Sequence, residues 1–263
     1  MSRVIVITSG KGGVGKTTIT ANLGMHLAKM NYRVCLIDMD IGLNNLDVVM
    51  NVEDRIVYSM LDIIEGRCRL KEALVQDDNY PLLYLLSSGG LNQNLSIGIS
   101  EIKRIVRDLY SIFDYILIDC PAGIDAGFKR AVSLADEAIV VTTPHLSSVR
   151  DADKVVTILT SYNIPSKRFV VNRARGDLMQ DKIMLDVYDI GTALNIEFGG
   201  VIPEDDHVIS IASDNINNNK VAVNRAFSIL ANNIVHNEKK LFDCTYKYKG
   251  FLGGIKKILR RSV

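Results

Sequence analysis

A glycine-rich run near the start of the chain has the residue types and the spacing that bind a phosphate. It follows the apolar run Val4–Thr8, precedes a helical pattern that begins near Lys16, and fits GxxxxGK[ST], a context that favours a phosphate site over a flexible glycine turn. Glycines let the backbone surround a phosphate with N–H groups, and the following helix N-terminus adds partial positive charge. We expect Lys16 to contact the β- and γ-phosphates of a nucleotide, and the Thr17 hydroxyl to bind Mg²⁺. The predicted nucleotide-binding residues of the loop are Gly10, Lys11, Gly12, Gly13, Val14, Gly15, Lys16, Thr17 and Thr18.

Carboxylates follow two apolar runs that we expect to be buried strands. The run Val34–Asp38 ends in Asp38, and Asp40 lies two residues further on, so the two side chains point the same way. A second run ends in Asp119, a pattern typical of an acid that holds Mg²⁺ through water in P-loop enzymes. Such an acid can also cap a helix or form a turn, but beside the glycine-rich loop the metal role is favoured. The residues alone do not separate the roles of Asp38 and Asp40.

Lys11 is an additional lysine that an ordinary phosphate loop does not require. The run Lys11-Gly-Gly-Val-Gly-Lys16-Thr-Thr resembles the deviant Walker A family of P-loop ATPases. The resemblance implies that ATP and Mg²⁺ are the cofactors, and that the chain forms a homodimer when ATP is bound. It also implies that Lys11 crosses the dimer interface to the partner's nucleotide, in a role comparable to an arginine finger, which adds ~10³–10⁵ in rate in other nucleotidases. A solvated loop lysine is the alternative.

The same resemblance implies roles for residues elsewhere in the chain. Asp40 would open the first switch segment and position the attacking water, Asp38 would support the metal site, and residues 121–123 would belong to the second switch segment. Asn172 and Pro203 would flank the adenine. The implied catalytic residues are Lys11, Lys16 and Asp40. The implied metal ligands are Thr17, Asp38 and Asp119, with the aspartates acting through water.

Short apolar runs alternate with longer segments of helical period along most of the chain. Several runs are apolar at consecutive positions, which is typical of parallel strands covered on both faces. The predicted strands are Val4–Thr8, Val34–Asp38, Leu82–Leu86, Tyr115–Asp119, Ala138–Thr143, Phe169–Asn172 and Gly200–Ile202. The predicted helices are Lys16–Met30, Ser100–Ser111, Ala126–Leu134, Ser147–Ser161 and Val221–Val235, with N-caps at Ser100 and Ser147. The pattern predicts a single-domain α/β P-loop fold: a doubly wound, mostly parallel sheet with helices on both faces and ligands at the carboxyl ends of the strands.

The charge of the chain is unevenly distributed. The 263 residues carry a formal net charge of +1, but residues 246–263 contain six basic residues and no acidic one. The first 245 residues therefore hold 25 basic and 30 acidic residues, a balance that argues against nonspecific binding to nucleic acid. We predict an ATPase domain over residues 1–245 and a basic segment over residues 246–263, and we expect no nucleic-acid partner.

Three features favour a cytoplasmic location. The four cysteines are widely spaced and form no CxxC pair, so neither a zinc site nor a disulfide framework is indicated. The longest uncharged stretch, residues 80–100, contains too many polar side chains to cross a membrane. A strand-like run begins within a few residues of the start, which leaves no room for a signal peptide.

The basic segment separates apolar from cationic side chains when it is drawn as a helix. Its last ~14 residues would span only ~21 Å, too little for a ~30 Å hydrocarbon core, but such a helix can lie in the interface of an anionic phospholipid membrane. One such tail is expected to bind weakly, and two tails on a dimer far better. A helix packed on the body, or a basic end without function, is the alternative. The predicted membrane-contacting residues are Phe251, Leu252, Ile255, Lys256, Lys257, Ile258, Leu259, Arg260 and Arg261.

With the ending KGFLGGIKKILRR, the resemblance narrows to the membrane-cycling members of the deviant Walker A family, which place the division septum. It implies a peripheral position on the cytoplasmic face of the cell membrane. It also implies two partners, which are the division inhibitor MinC, and MinE or a functional substitute that stimulates hydrolysis. The implied partner surface is the helix that contains Arg150, Asp151 and Asp153, whose charges are otherwise an ordinary solvated face.

Four other functions stay open for a chain with these motifs. A flagellar-number ATPase of the same family is the nearest, although it typically carries an extra N-terminal segment. A ParA-like partition ATPase would bind duplex DNA, which the acidic body disfavours. An iron–sulfur ATPase would need cluster cysteines at a dimer interface, where Cys120 is a single candidate. A biosynthetic ligase would need a small-molecule site that these motifs do not indicate.

Overall fold

The computed structural model describes residues 2–40, 45–90, 98–205 and 222–248. Within these ranges the chain forms eight strands: β1 (Arg3–Thr8), β2 (Val34–Asp38), β3 (Leu74–Gln76), β4 (Leu83–Leu86), β5 (Tyr115–Asp119), β6 (Glu137–Thr142), β7 (Ser166–Ala174) and β8 (Glu197–Pro203). The described α-helices are α1 (Lys16–Lys29), α2 (Leu46–Met50), α3 (Met60–Ile64), α4 (Leu70–Ala73), α5 (Ile99–Leu109), α6 (Ala126–Val132), α7 (Leu146–Ser161), α8 (Gly176–Gln180), α9 (Val187–Leu194) and α10 (Ala222–His236). Two short 3-10 helices cover Glu53–Arg55 and Tyr246–Tyr248.

The strands form one sheet in the order β3-β4-β2-β5-β1-β6-β7-β8. Every neighbouring pair is parallel except β3 and β4, which are antiparallel. The central strand β1 pairs with β5 on one side and β6 on the other, so the chain winds outward from it in both directions. The predicted α/β fold with a doubly wound, mostly parallel sheet is confirmed. Its carboxyl edge is where loops from different strands meet.

Each face of the sheet carries its own hydrophobic core. On β1, Val4 and Val6 face one core while Ile5 and Ile7 face the other, and all four are buried. Helices α5, α6, α7 and α9 cover the first core, and α1, α2 and α10 cover the second. This burial on both faces explains why the strand sequences are apolar at consecutive positions.

The predicted N-caps of two helices are wrong. Ser100 and Ser147 both lie inside the first turn, because α5 begins after Gly98 and α7 after His145. The Ser100 hydroxyl donates to the neighbouring Glu101 carboxylate at 2.8 Å and does not bond a helix N–H group. The structure also adds β3 and the helices α2, α3, α4, α8 and α9, most of which are too short to show a hydrophobic period.

His26 is a buried histidine between α1 and α10, and its burial predicts a pH-dependent stability. Its ring stacks on Phe227 at 5.7 Å between centroids, and desolvation lowers its pKa to about 4. The unfolded chain takes up a proton near the ordinary pKa of 6.5, so the folded state loses stability as the pH falls below that value. We expect the unfolding free energy of the wild type to fall by ~2 kcal/mol relative to His26→Gln between pH 7.5 and pH 5, measured by urea unfolding. Equal changes in the two proteins would contradict the assignment, because all other titrating groups are shared.

Candidate nucleotide-binding site

The glycine-rich loop connects the central strand β1 to helix α1. Gly13 and Gly15 have φ of +74° and +96°, the left-handed region that a residue with a Cβ adopts only under strain. Gly15 is also the N-cap residue of α1, so the free N–H groups of the first turn lie at the loop. This backbone is arranged as an anion site, as the motif predicts.

The two lysines of the loop differ in burial. Lys16 is buried, and its Nζ donates to Ser9 Oγ at 3.0 Å. Ser9 Oγ in turn donates to the backbone oxygen of Lys11 at 2.7 Å, which ties the start of the loop to its end. The Lys11 residue itself is exposed. Lys16 therefore bonds within the loop of its own subunit, while the exposed Lys11 side chain is available to a group outside the subunit.

Gly10 places the phosphate loop directly against helix α7. A Cβ atom added at Gly10 would lie 2.1 Å from the backbone oxygen of Asp151. Only glycine allows the two backbones to approach this closely. Arg150 and Asp153 on the same helix are exposed, while Asp151 is half-buried and pairs with Lys154 at 2.9 Å. The predicted partner surface thus lies on a helix that contacts the phosphate loop.

The two predicted metal-site acids lie side by side at the carboxyl edge. Asp38 and Asp119 are register partners on β2 and β5, and both are buried. Burial and the nearby Asp38 charge raise the pKa of Asp119 to about 7, although hydrogen bonds from the Thr17 and Thr20 hydroxyls and the charge of Lys16 oppose this rise. The structure therefore brings Thr17 and Asp119 into contact, beside the lysine of the loop.

Both carboxylate oxygens of Asp38 accept backbone hydrogen bonds. Oδ1 accepts the N–H of Asp40 at 2.9 Å, and Oδ2 accepts the N–H groups of Asn45 and Leu46, each at 3.1 Å. Burial raises the pKa of Asp38, and these three bonds lower it in part. Asp38 thus holds both ends of the segment between β2 and α2, which fits a supporting role better than direct contact with a metal.

Asp40 faces the segment that follows β5. It lines a cavity of about 270 Å³ together with residues of the second predicted switch segment and of α6: Pro121, Asp125, Ala126, Gly127 and Arg130. Burial raises the pKa of Asp40, the charge of Lys16 lowers it, and the Asp125 carboxylate raises it further. The two segments implied as switches are therefore neighbours, with an acid on each side of the cavity between them.

The donors at this edge fit Mg²⁺ bound together with a nucleotide. The described residues contain no cluster of three or more His, Cys, Asp or Glu side chains that could hold a metal ion alone. Mg²⁺ usually takes one or two carboxylates, keeps several waters and completes its octahedron with phosphate oxygens. The Thr17 hydroxyl and the Asp119 carboxylate can supply the protein's part of such a set. When bound there, the ion would neutralise charge on the phosphates.

The raised pKa of Asp119 predicts that binding of Mg²⁺ and nucleotide depends on pH. Below about pH 7 the ligand-free carboxyl holds a proton, which must be released when Mg²⁺ binds beside it. We expect the affinity for Mg–ADP to increase from pH 6 to pH 8, with proton release near pH 7. Calorimetric titration in buffers of different ionisation enthalpy measures both quantities. Asp119→Asn is the control, and it should bind Mg–ADP more weakly and without this pH dependence. If the affinity of the wild type did not change between pH 6 and pH 8, the prediction would be contradicted.

The two residues expected to flank the adenine lie in different surroundings. Pro203 ends β8 and lines a cavity of about 680 Å³, with walls that include Glu204, Arg225 and Phe242. The Asn172 side chain is buried, and its Nδ2 donates to the backbone oxygen of Val14 in the phosphate loop at 2.8 Å. Pro203 is therefore placed beside a space of a size suited to a small ligand, and Asn172 beside the loop.

Sequence reasoning missed two residues of the site. The Ser9 hydroxyl accepts a hydrogen bond from the Lys16 ammonium, and the Thr20 hydroxyl donates to Asp119 Oδ1 at 3.3 Å. Thr20 lies one helical turn after Lys16 and also donates to the Lys16 backbone oxygen at 3.0 Å. Its position four residues after Lys16 could therefore have indicated that it lies on the same face of α1 as Lys16. Cys120, the candidate for a cluster ligand, is buried, and burial raises the pKa of its thiol to about 12.

The predicted tail lies almost entirely outside the described residues. This applies to all of the predicted membrane-contacting residues from Phe251 to Arg261. The segment Tyr246–Tyr248, at its start, packs on the body, since Tyr248 is buried while Tyr246 is largely exposed. Among the described residues, no helix combines the length and apolar character needed to span a bilayer.

The phosphate loop, placed between a central strand and a helix and beside a buried acid, puts the chain in the class of P-loop nucleoside triphosphatases. Residues 5–218 match the family described as the CobQ/CobB/MinD/ParA nucleotide binding domain. The septum site-determining protein MinD of Bacillus subtilis is 50% identical over 215 residues, which cover 81% of this chain and 80% of that protein.

Two solved structures extend the comparison. The MinC:MinD cell division protein complex of Aquifex aeolicus contains a chain that is 40% identical, with a TM-score of 0.83, covering 91% of this chain and 98% of that one. MinD of Pyrococcus horikoshii, complexed with Mg-ADP, is 28% identical with a TM-score of 0.78, covering 89% and 96%. The chain belongs to the MinD family of septum site-determining ATPases. Its role in cell division is that of septum placement, and nucleotide with Mg²⁺ is bound within the family.

Proposed function

We propose that this chain is an ATP-dependent switch that cycles between cytoplasm and membrane. ATP and Mg²⁺ bring two copies together, and the paired tails attach the dimer to the cytoplasmic face of an anionic phospholipid membrane. The dimer recruits MinC, and MinE or a functional substitute stimulates hydrolysis and releases the protein. The observation that carries this proposal is the contrast within one loop between a buried Lys16 and an exposed Lys11.

The exposure of Lys11 supports ATP-dependent dimerisation. Its neighbours in the loop already provide a buried ammonium at Lys16 and the N-terminus of α1, so the subunit does not need Lys11 for its own phosphate site. A second copy facing this surface would bring its triphosphate towards the exposed ammonium. That added positive charge would favour the dimer with ATP over the dimer with ADP, because the γ-phosphate supplies the negative charge it meets.

The contact between α7 and the phosphate loop supports partner control of hydrolysis. The exposed Arg150 and Asp153 are available for docking, and the Asp151 backbone of the same helix rests on Gly10. A partner that shifts α7 would therefore shift the start of the loop. The MinC:MinD complex of the Aquifex aeolicus relative supports MinC as a binding partner of this chain.

The composition of the tail supports reversible attachment. Basic residues near an anionic membrane contribute ~1 kcal/mol each, and buried apolar side chains add to this. Ordering ~14 residues costs ~1–2 kcal/mol each, so one tail binds weakly. Two tails on one dimer raise the effective concentration of the second and bind far better. Dissociation of the dimer then releases both.

Deletion of residues 250–263 tests the tail directly. We expect the shortened protein to lose ATP-dependent cosedimentation with anionic vesicles, because the apolar and basic side chains that contact the membrane are gone. Binding of a fluorescent ADP analogue should stay within about twofold of the full chain, since the phosphate loop is unchanged. Equal cosedimentation of the two proteins would contradict the tail assignment, and loss of ADP binding would show damage to the body.

A further inference from the structure

The end of strand β7 is irregular at the point where it reaches the phosphate loop. The pairing of β7 with β8 changes register between Val171 and Ala174, and Arg173 lies between them with φ of +55°. A bulge of this kind re-aims the side chains of the strand that contains it. The preceding residue, Asn172, is 4% exposed and points at the loop.

Asn172 makes a specific contact there. Its Nδ2 donates to the Val14 backbone oxygen at 2.8 Å, and both residues are buried. In the part of the chain that the structure describes, this is the only hydrogen bond made by the Asn172 side chain. Because a buried carbonyl without a partner is costly, the bond fixes the direction in which the Val14 oxygen points.

The next residue explains why that direction matters. The C=O of Val14 and the N–H of Gly15 belong to the same planar trans peptide group, so they point in opposite directions. A carbonyl held towards Asn172 leaves the Gly15 N–H directed away from Asn172. Gly15 is the N-cap residue of α1, where a phosphate is expected to bind. Gly15 also has to be glycine here, since a Cβ would lie 2.4 Å from Asn172 Nδ2.

We propose that Asn172 is a positioning residue of the phosphate loop: it anchors the Val14 carbonyl and thereby aims the Gly15 N–H at the bound phosphate. This role is separate from any contact with the adenine base. It rests on the nucleotide-binding activity of the family and not on membrane cycling. The role of Asn172 and the proposed membrane cycling can therefore fail independently of each other.

A ligand without a base separates the two roles of Asn172. Binding of Mg–tripolyphosphate and Mg–ATP would be measured by calorimetry for the wild type, Asn172→Ala and Asn172→Leu, a neutral variant of similar size. We expect both variants to bind tripolyphosphate about tenfold more weakly, the change that corresponds to ~1.4 kcal/mol for one hydrogen bond. Asn232→Ala is the matched control, because it removes a similar bond from a side-chain amide to a backbone oxygen, that of Ser228 in α10, away from the loop. It should leave tripolyphosphate affinity within about twofold. Wild-type affinity of the Asn172 variants for tripolyphosphate, with weaker ATP binding, would overturn the proposal in favour of base contact alone.

Hydrogen exchange provides a readout without any ligand. In the free protein, the Ile19 amide donates to the Gly15 backbone oxygen at 2.9 Å and so reports on the position of Gly15. We expect this amide to exchange faster in both Asn172 variants, while the amides of β1 and β5 keep wild-type protection. Unchanged exchange at Ile19 would overturn the proposal. Loss of protection in β1 and β5 in both variants would also overturn it, because it would assign Asn172 a general role in the core.

Discussion

Replacement of Lys16 by alanine abolishes ATP-dependent behaviour, because it removes the buried ammonium of the phosphate loop. In the wild type this group bonds Ser9 within the loop and lies where a nucleotide's phosphates would bind. Hydrogen bonds to charged partners contribute ~1.5–3 kcal/mol each, and Lys16 can make more than one with a triphosphate. We therefore expect the affinity for Mg–ATP to fall by about 100-fold or more in a calorimetric or fluorescence titration.

Lys11→Ala is the matched control for Lys16→Ala. It removes a lysine from the same loop, but one whose side chain is exposed. We expect the Lys11 variant to bind Mg–ATP within about twofold of the wild type, yet to remain monomeric with ATP in sedimentation analysis. If Lys16→Ala kept wild-type affinity, or Lys11→Ala lost affinity to the same extent, the division of roles between the two lysines would be wrong.

Gly10→Ala is expected to have the largest effect of any single added methyl group in the loop. The new Cβ would lie 2.1 Å from the Asp151 oxygen and 2.4 Å from its carbonyl carbon. Both are backbone atoms of a 16-residue helix, so no side-chain rotation relieves the clash. Either the loop or α7 must move, at a cost of ~2 kcal/mol or more. We expect a melting temperature lower by ~5 °C or more, together with weaker Mg–ADP binding.

Gly12→Ala separates this clash from the general effect of a methyl group in the loop. A Cβ at Gly12 would have Ala122 Cβ as its nearest neighbour, at 3.7 Å, which is an ordinary contact. The Gly12 variant should therefore melt within about 2 °C of the wild type. Equal melting temperatures for the Gly10 variant and the wild type would mean that the loop and α7 are not in firm contact, and would remove the structural basis for partner control through that helix.

The local motifs predicted the parts of the site that lie close together in sequence. The loop from Gly10 to Thr18 and the acids at the ends of β2 and β5 are each defined within a few neighbouring residues, and a parallel sheet necessarily brings strand ends to one edge. The same applies to the strands themselves, whose consecutive apolar residues are required by cores on both faces.

Contacts between distant segments could not be predicted in this way. Nothing local to Asn172 indicates that its amide bonds Val14, because the contact depends on the bulge in β7 and on the packing of β7 near the loop. The approach of Gly10 to Asp151 likewise depends on how α7 packs on the sheet. The wrong N-caps at Ser100 and Ser147 have a related cause, since several residues near each helix start could serve and tertiary packing selects among them.

The uneven charge of the chain is what links the nucleotide site to its proposed outcome. An acidic body is repelled by an anionic membrane, and a basic tail is attracted to it. Under the proposed function, attachment depends on the number of tails that one particle presents, and the nucleotide would control that number through Lys11 and dimerisation. A DNA-partition ATPase would instead need a basic surface on the body.

The most direct test is cosedimentation of the wild-type protein with anionic phospholipid vesicles in Mg–ATP and in Mg–ADP, with and without duplex DNA as a competitor. We predict that most of the protein pellets with vesicles in ATP, that little pellets in ADP, and that DNA changes neither fraction. An equal pelleted fraction in the two nucleotides would contradict the claim that nucleotide state controls membrane attachment.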